Sequence, residues 1–180
     1  MIGQFEITSR CEKSSARTGK LHTIHGVIKT PAFMPVGTKA TVKTMSSQDL
    51  EDLGYDVILG NTYHLNDRPG AELIASHGGL HNFMSWKKPI LTDSGGYQVF
   101  SLSQINKITD LGVSFRSHSD GKELFIGPHE SMKIQSLLGS DIAMVFDECP
   151  PYPSDKEYVY KAVCRTIEWA KECKKYDNLK

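Results

Sequence analysis

The sequence predicts an α/β fold in which a parallel sheet alternates with helices, preceded by an N-terminal antiparallel β lead-in and interrupted by an inserted β-hairpin. Three observations carry that prediction. Short apolar runs without alternation, Val57-Ile58-Leu59, Pro89-Ile90-Leu91-Thr92 and Asp141-Ile142-Ala143-Met144-Val145-Phe146, suit strands covered on both faces. Segments with helix caps and stops stand between them. Alternating apolar and polar residues appear at the start of the chain and again between residues 104 and 127, around an Asp-Gly turn signal.

The elements follow in order. Phe5-Glu6-Ile7-Thr8 and Gly26-Val27-Ile28-Lys29-Thr30 alternate, with Gly19 and Gly26 as turn points, so residues 1–30 read as a small sheet beside the core. Pro31 to Gly37 reads as a short apolar strand that ends in the Gly37-Thr38 loop. Ser46-Ser47-Gln48-Asp49 caps a helix whose Leu50 and Leu53 precede Gly54, a stop, and Val57-Ile58-Leu59 is the next strand. Pro69 opens a helix running to Ala75, because proline at a first helical position loses no needed donor. Pro89 to Thr92 is the third buried strand. Val113 to Ser117 and Glu123 to Ile126 flank Ser119-Asp120-Gly121-Lys122, a hairpin signature. Pro128 to Leu138 reads as a helix with a Met132, Ile134, Leu137, Leu138 stripe, stopped by Gly139, and Asp141 to Phe146 as the fourth strand. Ser154 then caps a long helix to Tyr176, with Tyr158, Val159, Ala162, Val163, Ile167 and Ala170 toward the core.

Four parallel-strand signals suit either a doubly wound sheet or the first half of a (β/α)8 TIM-type barrel. Length separates them. A complete barrel takes about 250 residues, and the chain has 180 with its last helix placed where a fifth strand would follow. The expectation is a front half of a single barrel domain, apparently truncated, with residues 31–180 as its β/α units.

Composition excludes several classes. Twenty-one basic and 21 acidic residues cancel, so bulk charge does not call for a polyanion. The four cysteines, Cys11, Cys149, Cys164 and Cys173, form no Cys-x-x-Cys pair, which argues against a disulfide framework or a zinc ribbon and for a reducing cytoplasm. No apolar run approaches membrane-spanning length, and the first residues lack the pattern of a signal peptide. His22 and His25, and His77 and His81, have spacings that suit a metal, yet no cysteine or carboxylate partner is arranged with them, so no metal ligand is assigned.

Chemistry in parallel α/β folds collects beyond the C-terminal strand ends. Asp93 and Asp147 each follow a predicted strand and are expected at one mouth, a pair suited to acid/base work or to reading a polar ring. In Asp93-Ser94-Gly95-Gly96-Tyr97-Gln98 the two glycines permit close backbone approach and the tyrosine offers a stacking face. The same residues also suit an ordinary strand-to-helix turn, with Asp93 as an N-cap and Tyr97 in the core; spacing alone leaves both open.

A resemblance decides between them. Leu91-Thr92-Asp93-Ser94-Gly95-Gly96-Tyr97-Gln98-Val99-Phe100-Ser101 resembles the signature of the tRNA-guanine transglycosylases. Phe33-Met34-Pro35-Val36-Gly37-Thr38, Leu59-Gly60-Asn61-Thr62-Tyr63-His64-Leu65, Arg68-Pro69-Gly70 and Gly139-Ser140-Asp141-Ile142 are similar to the same family in the same order. The resemblance implies a (β/α)8 enzyme that exchanges guanine at the tRNA wobble position for preQ1, a 7-deazaguanine precursor of queuosine, through a covalent RNA intermediate. It implies Asp93 as general acid/base, Ser94, Gly95, Gly96 and Tyr97 as pocket lining with Tyr97 stacked on the base, and Asp147 as the carboxylate that accepts from the purine edge. Cys149 resembles bacterial members, which implies preQ1 rather than queuine. The partners implied are tRNA, guanine or preQ1 and, for the full-length enzyme, a second copy of itself.

The family's nucleophilic aspartate and its structural zinc motif, three clustered cysteines with a later histidine, have no counterpart here, so the resemblance implies an inactive chain. A non-catalytic binding subunit of the family, or an archaeal-type relative acting elsewhere in tRNA, are the rival readings; the intact Asp93 motif and Cys149 speak against them. Asn61, Tyr63 and His64 either line the mouth or pack as a loop, and Glu148 reads as a solvated or loop-bonding acid. Pro150-Pro151-Tyr152-Pro153 reads as a strand-to-helix linker. Lys161, Lys171, Lys174, Lys175 and Lys180 alternate with acids and read as a solvated face.

Overall fold

The computed structural model describes residues 2–102, 104–117 and 121–176. It opens with an antiparallel sheet of β1 (Phe5–Arg10), β2 (Arg17–Thr23) and β3 (Gly26–Thr30), in chain order. The lead-in has one strand more than expected, and Gly19 lies inside β2, opposite Ile7 and Thr30, rather than at a turn. A Cβ there would lie 2.3 Å from the Phe5 ring, so the missing side chain makes room for an aromatic on the neighbouring strand. The β2–β3 turn is Ile24-His25.

The parallel sheet holds β4 (Val36–Gly37), β5 (Ile58–Gly60), β6 (Ile90–Thr92) and the last strand of the chain, β10 (Ile142–Ala143), in the order β10-β6-β5-β4. Val36 pairs with Leu59, Leu59 with Leu91, and Leu91 with Ile142, all parallel. Neighbours in space are therefore successive along this sheet, with no reversal of order. The segments after Gly60, Thr92 and Ala143 leave from the same end.

Helix α1 (Ser47–Asp52) has the expected start: Ser46 accepts from the Asp49 amide while the Asp49 carboxylate accepts from the Ser46 amide, a reciprocal capping box. Two six-residue helices, α2 (Thr62–Asp67) and α4 (Gly79–Met84), were not anticipated, being too short to show a period. Between them α3 (Ala71–Ser76) begins after Gly70, two residues later than Pro69 suggested. Helix α5 (Gly96–Leu102) follows the Asp93 motif, and α6 (Pro128–Leu138) has its predicted bounds and a left-handed Gly139 stop. These helices bury Leu50, Leu65, Ile74, Leu80 and Leu138 against Ile58, Ile90 and Trp86 in the first core cluster.

The insertion is a three-stranded antiparallel sheet of β7 (Gln104–Thr109), β8 (Gly112–Arg116) and β9 (Glu123–Ile126), not a hairpin alone. The predicted turn residues Ser119 and Asp120 lie outside the described residues. Val113, Phe115 and Ile126 of this sheet join Val99, Met132, Phe146 and Trp169 in the second cluster.

Two expectations near the end of the chain are corrected. Residues 141–146 were read as a strand, but β10 is only Ile142–Ala143. The pairing with β6 runs on past it, since the Met144 amide donates to the Thr92 carbonyl at 3.1 Å, and the buried Gln135 side chain of α6 holds the same residue, donating to its carbonyl (2.9 Å) and accepting from its amide (2.9 Å). Helix α7 (Lys156–Lys175) is capped by Asp155, whose carboxylate accepts from the Tyr158 amide at 2.8 Å, rather than by Ser154. Its buried residues are Ala162, Trp169 and Cys173, whereas Val159, Val163 and Ile167 are exposed. Trp169 decides this rotation: its ring packs 5.2 Å from Phe146 and its indole N–H donates to the Asp110 carbonyl at 2.7 Å. Lys161, Lys171 and Lys175 pair with Glu157, Glu168 and Glu172 on the solvent side, as read; Lys180 lies outside the described residues. Among the described residues no helix is long and apolar enough to cross a membrane.

Candidate functional site

Asp93 stands one residue beyond β6, and its amide donates to the Gly60 carbonyl at 3.1 Å, continuing the parallel pairing for one more step. That fixes where its side chain starts. The carboxylate then collects four donors. Oδ1 accepts from the Thr62 amide (2.9 Å) and the Gly95 amide (3.1 Å); Oδ2 accepts from the Asn61 side-chain amide and from Gln98 Nε2 (3.2 Å). The Thr62 hydroxyl also donates to the Asp93 carbonyl. An ionised carboxylate offers about four lone-pair positions, so Asp93 is fully engaged by the β5–α2 junction on one side and the start of α5 on the other.

Ser94 joins the two acids. Its hydroxyl donates to Asp147 Oδ1 at 2.9 Å and accepts from the Gly96 amide at 3.1 Å, while its carbonyl accepts from the Ser131 hydroxyl at 2.8 Å. Gly96 permits the contact: a Cβ there would lie 2.6 Å from Asp147 Oδ1 and 2.8 Å from the Asp147 carbonyl. Gly95 sits at φ +81°, a left-handed turn that favours glycine. Tyr97 is 64 % exposed at the first turn of α5, which sets aside the reading of it as core.

Asp147 lies four residues beyond β10, on a segment that α7 pins down. The Glu148 amide donates to the Thr166 hydroxyl at 3.0 Å, and the Glu148 carboxylate, on a residue only 4 % exposed, accepts from Arg165 and from the Tyr158 hydroxyl (2.8 Å). Of its two readings, a solvated acid is set aside and a loop-bonding one holds: Glu148 is buried and bonds the segment that presents Asp147 to α7. Burial first, and the Asp147 charge second, push the Cys149 thiol above its ordinary value.

Residues 11–179 match the model of the queuine tRNA-ribosyltransferase family, the tRNA-guanine transglycosylases under another name. The chain belongs to this family. Similar proteins named queuine tRNA-ribosyltransferase are those of Shouchella clausii, 59 % identical over 169 residues, and Halalkalibacterium halodurans, 57 % identical over 171. A third, from Staphylococcus aureus, is 57 % identical over 169 residues. These alignments cover 94–95 % of this chain and 44–45 % of each relative, so the chain spans about half the length of the curated relatives it matches.

Within this queuine tRNA-ribosyltransferase segment, the structure places Asp93, Ser94, Gly95, Gly96 and Asp147 in one hydrogen-bonded group and Tyr97 on its exposed flank. Sequence reasoning left Asn61 undecided and gave Thr62 and Gln98 no role; all three hold the Asp93 carboxylate. The buried Gln98 Oε1 has no hydrogen-bond partner among the described residues. Tyr63 turns inward to the second core cluster. The cysteine-rich zinc motif of the family does not fit the residues here: Cys11 and Cys164 are exposed and far apart in the fold's order, Cys173 is buried under Phe146, and no candidate metal cluster among the described residues contains a cysteine.

His25 and His81 do have a carboxylate partner, supplied from far along the chain by Asp141. It belongs to the opposite end of the sheet from Asp93 and Asp147, since Asp141 precedes β10 and accepts from the Ile90 amide at the start of β6.

Proposed function

We propose that this chain is the front half of a (β/α)8 transglycosylase that exchanges guanine at the tRNA wobble position for preQ1, and that Asp93 and Asp147 are its share of the active site. The carrying observation is the Ser94 bridge: two acids leaving the C-terminal ends of adjacent parallel strands are tied into one polar group, with Gly96 removing the side chain that would separate them. The unreversed strand order favours a barrel over a doubly wound sheet.

In this reading Asp147 accepts from adjacent N–H donors of the purine edge, and a ring lacking them would leave a buried acceptor unpaired. Asp93 moves the proton of the departing and arriving bases. Its four donors must yield one position to do so. The backbone amides of Thr62 and Gly95 are fixed, so Asn61 or Gln98 is the group that gives way, and the orphaned Gln98 Oε1 supports Gln98. Tyr97 is exposed where a base ring would stack. The aspartate nucleophile, the structural zinc motif, much of the tRNA surface and the homodimer contact fall to the part of the relatives that this chain does not span, and the chain alone is expected to be inactive. The reaction takes place on tRNA in the cytoplasm.

The test is exchange of labelled guanine into tRNA by the longest product of the reading frame containing this chain, beside its Asp93→Asn variant. Exchange by the parent and none by the variant supports the reading. Exchange that survives Asp93→Asn removes Asp93 from the chemistry, and a parent that binds preQ1 without exchange makes this a binding subunit.

A further inference from the structure

The end of the parallel sheet away from Asp93 carries a second polar centre that the exchange reaction does not use. His25 Nδ1 lies 3.0 Å from Asp141 Oδ1, and His81 Nε2 lies 3.1 Å from Asp141 Oδ2. The two imidazoles are stacked, with centroids 3.6 Å apart and planes 20° from parallel, and one nitrogen of each ring faces the same carboxylate. The Asp141 side chain is fully buried, that of His81 is 11 % exposed and that of His25 36 % exposed. One nitrogen from each ring and a carboxylate oxygen all lie within 4.8 Å of one another.

We propose that His25, His81 and Asp141 form a structural binding site for a transition-metal dication of the zinc type, which staples the N-terminal sheet to the base of the parallel sheet. The donor set, two imidazoles and one carboxylate, suits such ions. Each histidine nitrogen stands 3.0–3.1 Å from an Asp141 oxygen, and a nitrogen and an oxygen that far apart, each about 2.0–2.1 Å from an ion, subtend roughly 90–100° at it; opening by a few tenths of an ångström reaches the tetrahedral angle. The carboxylate is already oriented by two backbone donors, the amides of His25 and Ile90, both at 3.0 Å, the outer-shell support that metal-bound carboxylates have. A pocket of about 350 Å³, lined in part by His25 and His81, opens beside the two rings. The three ligands come from the β2–β3 turn, from α4 and from the residue before β10, so one ion would join three segments of the chain. The assignment is independent of the transglycosylase reading and of any cysteine-rich zinc motif.

The experiment titrates metal-free chain with cobalt(II) and, in parallel, follows its melting temperature with zinc(II). The expected result is one ion per chain, a visible cobalt spectrum without thiolate-to-metal charge transfer, and a rise in melting temperature. His25→Gln and His81→Gln should each weaken uptake by more than about tenfold, the lower end of what disturbing even an outer-shell partner costs. Absence of uptake, uptake unchanged in the double variant, or a thiolate charge-transfer band would overturn the site. Should the variants not fold, the parent chain suffices: zinc should protect His25 and His81 from diethyl pyrocarbonate, mapped by mass spectrometry, and equal labelling with and without zinc rejects the proposal.

Discussion

At the scale of single residues, the proposed active site depends on one absent methyl group. Gly96→Ala would set a Cβ 2.6 Å from Asp147 Oδ1 and 2.8 Å from the Asp147 carbonyl, so the Asp147 segment must move outward. Overpacking of this kind costs about 1–3 kcal/mol, and we expect a lower denaturation midpoint together with loss of guanine exchange in the full reading frame. An unchanged midpoint would show that the segment yields freely. The cysteines offer a second check. A bond from the Ser14 side chain, then one from the Lys13 backbone, lowers the exposed Cys11 thiol, whereas burial and the Asp147 charge raise Cys149. Because the thiolate is the nucleophile, iodoacetamide at neutral pH should label Cys11 well before Cys149; the reverse order would mean that Cys149 is more open than its packing indicates.

At the scale of elements, α7 is the support for the Asp147 segment. Its Arg165 pairs with the buried Glu148 carboxylate, and its Thr166 holds the Glu148 amide. Arg165→Met leaves Glu148 with the Tyr158 hydroxyl alone among its present side-chain partners. Removing one member of a buried ion pair costs about 3–5 kcal/mol, although Arg165 keeps some solvent access and the lower end is the better expectation. Urea denaturation measures it. A loss below about 1 kcal/mol, the usual worth of a surface pair, would show that Glu148 is supported by other groups.

At the scale of the whole molecule, the parallel sheet has two open margins. Among the described residues β4 and β10 each pair on one side only, and Val36 and Met144 beside them are exposed. On α7, Val159, Val163 and Ile167 form an uncovered apolar stripe at helical spacing, with Val163 and Ile167 each 51 % exposed. Unpaired edges and apolar stripes favour association. The 180-residue chain is therefore expected to self-associate in sedimentation velocity, and Val163→Lys, which touches none of the residues around Asp93, should shift it toward monomer. A monodisperse monomer of the parent chain would show that neither margin is adhesive.

What the sequence determined by itself was everything written in short-range pattern. The helix cap at Ser46, the bounds of α6, the apolar runs of β5 and β6, and the motif around Asp93 are set by neighbours a few residues away, where propensity and steric rules act directly. The order of the family motifs likewise needed no coordinates. The tertiary structure alone decided what depends on distant partners. Gln135, buried on α6, holds both backbone groups of Met144 just past β10; α7 turns its Trp169 face inward because Phe146 and Asp110 receive it. Gly19 belongs in a strand because Phe5 occupies its side-chain space. The His25, His81 and Asp141 cluster spans 116 residues of chain, and no local rule pairs groups so far apart. Burial and hydrogen-bond satisfaction are properties of the packed molecule, and they chose among conformations that the local sequence left open.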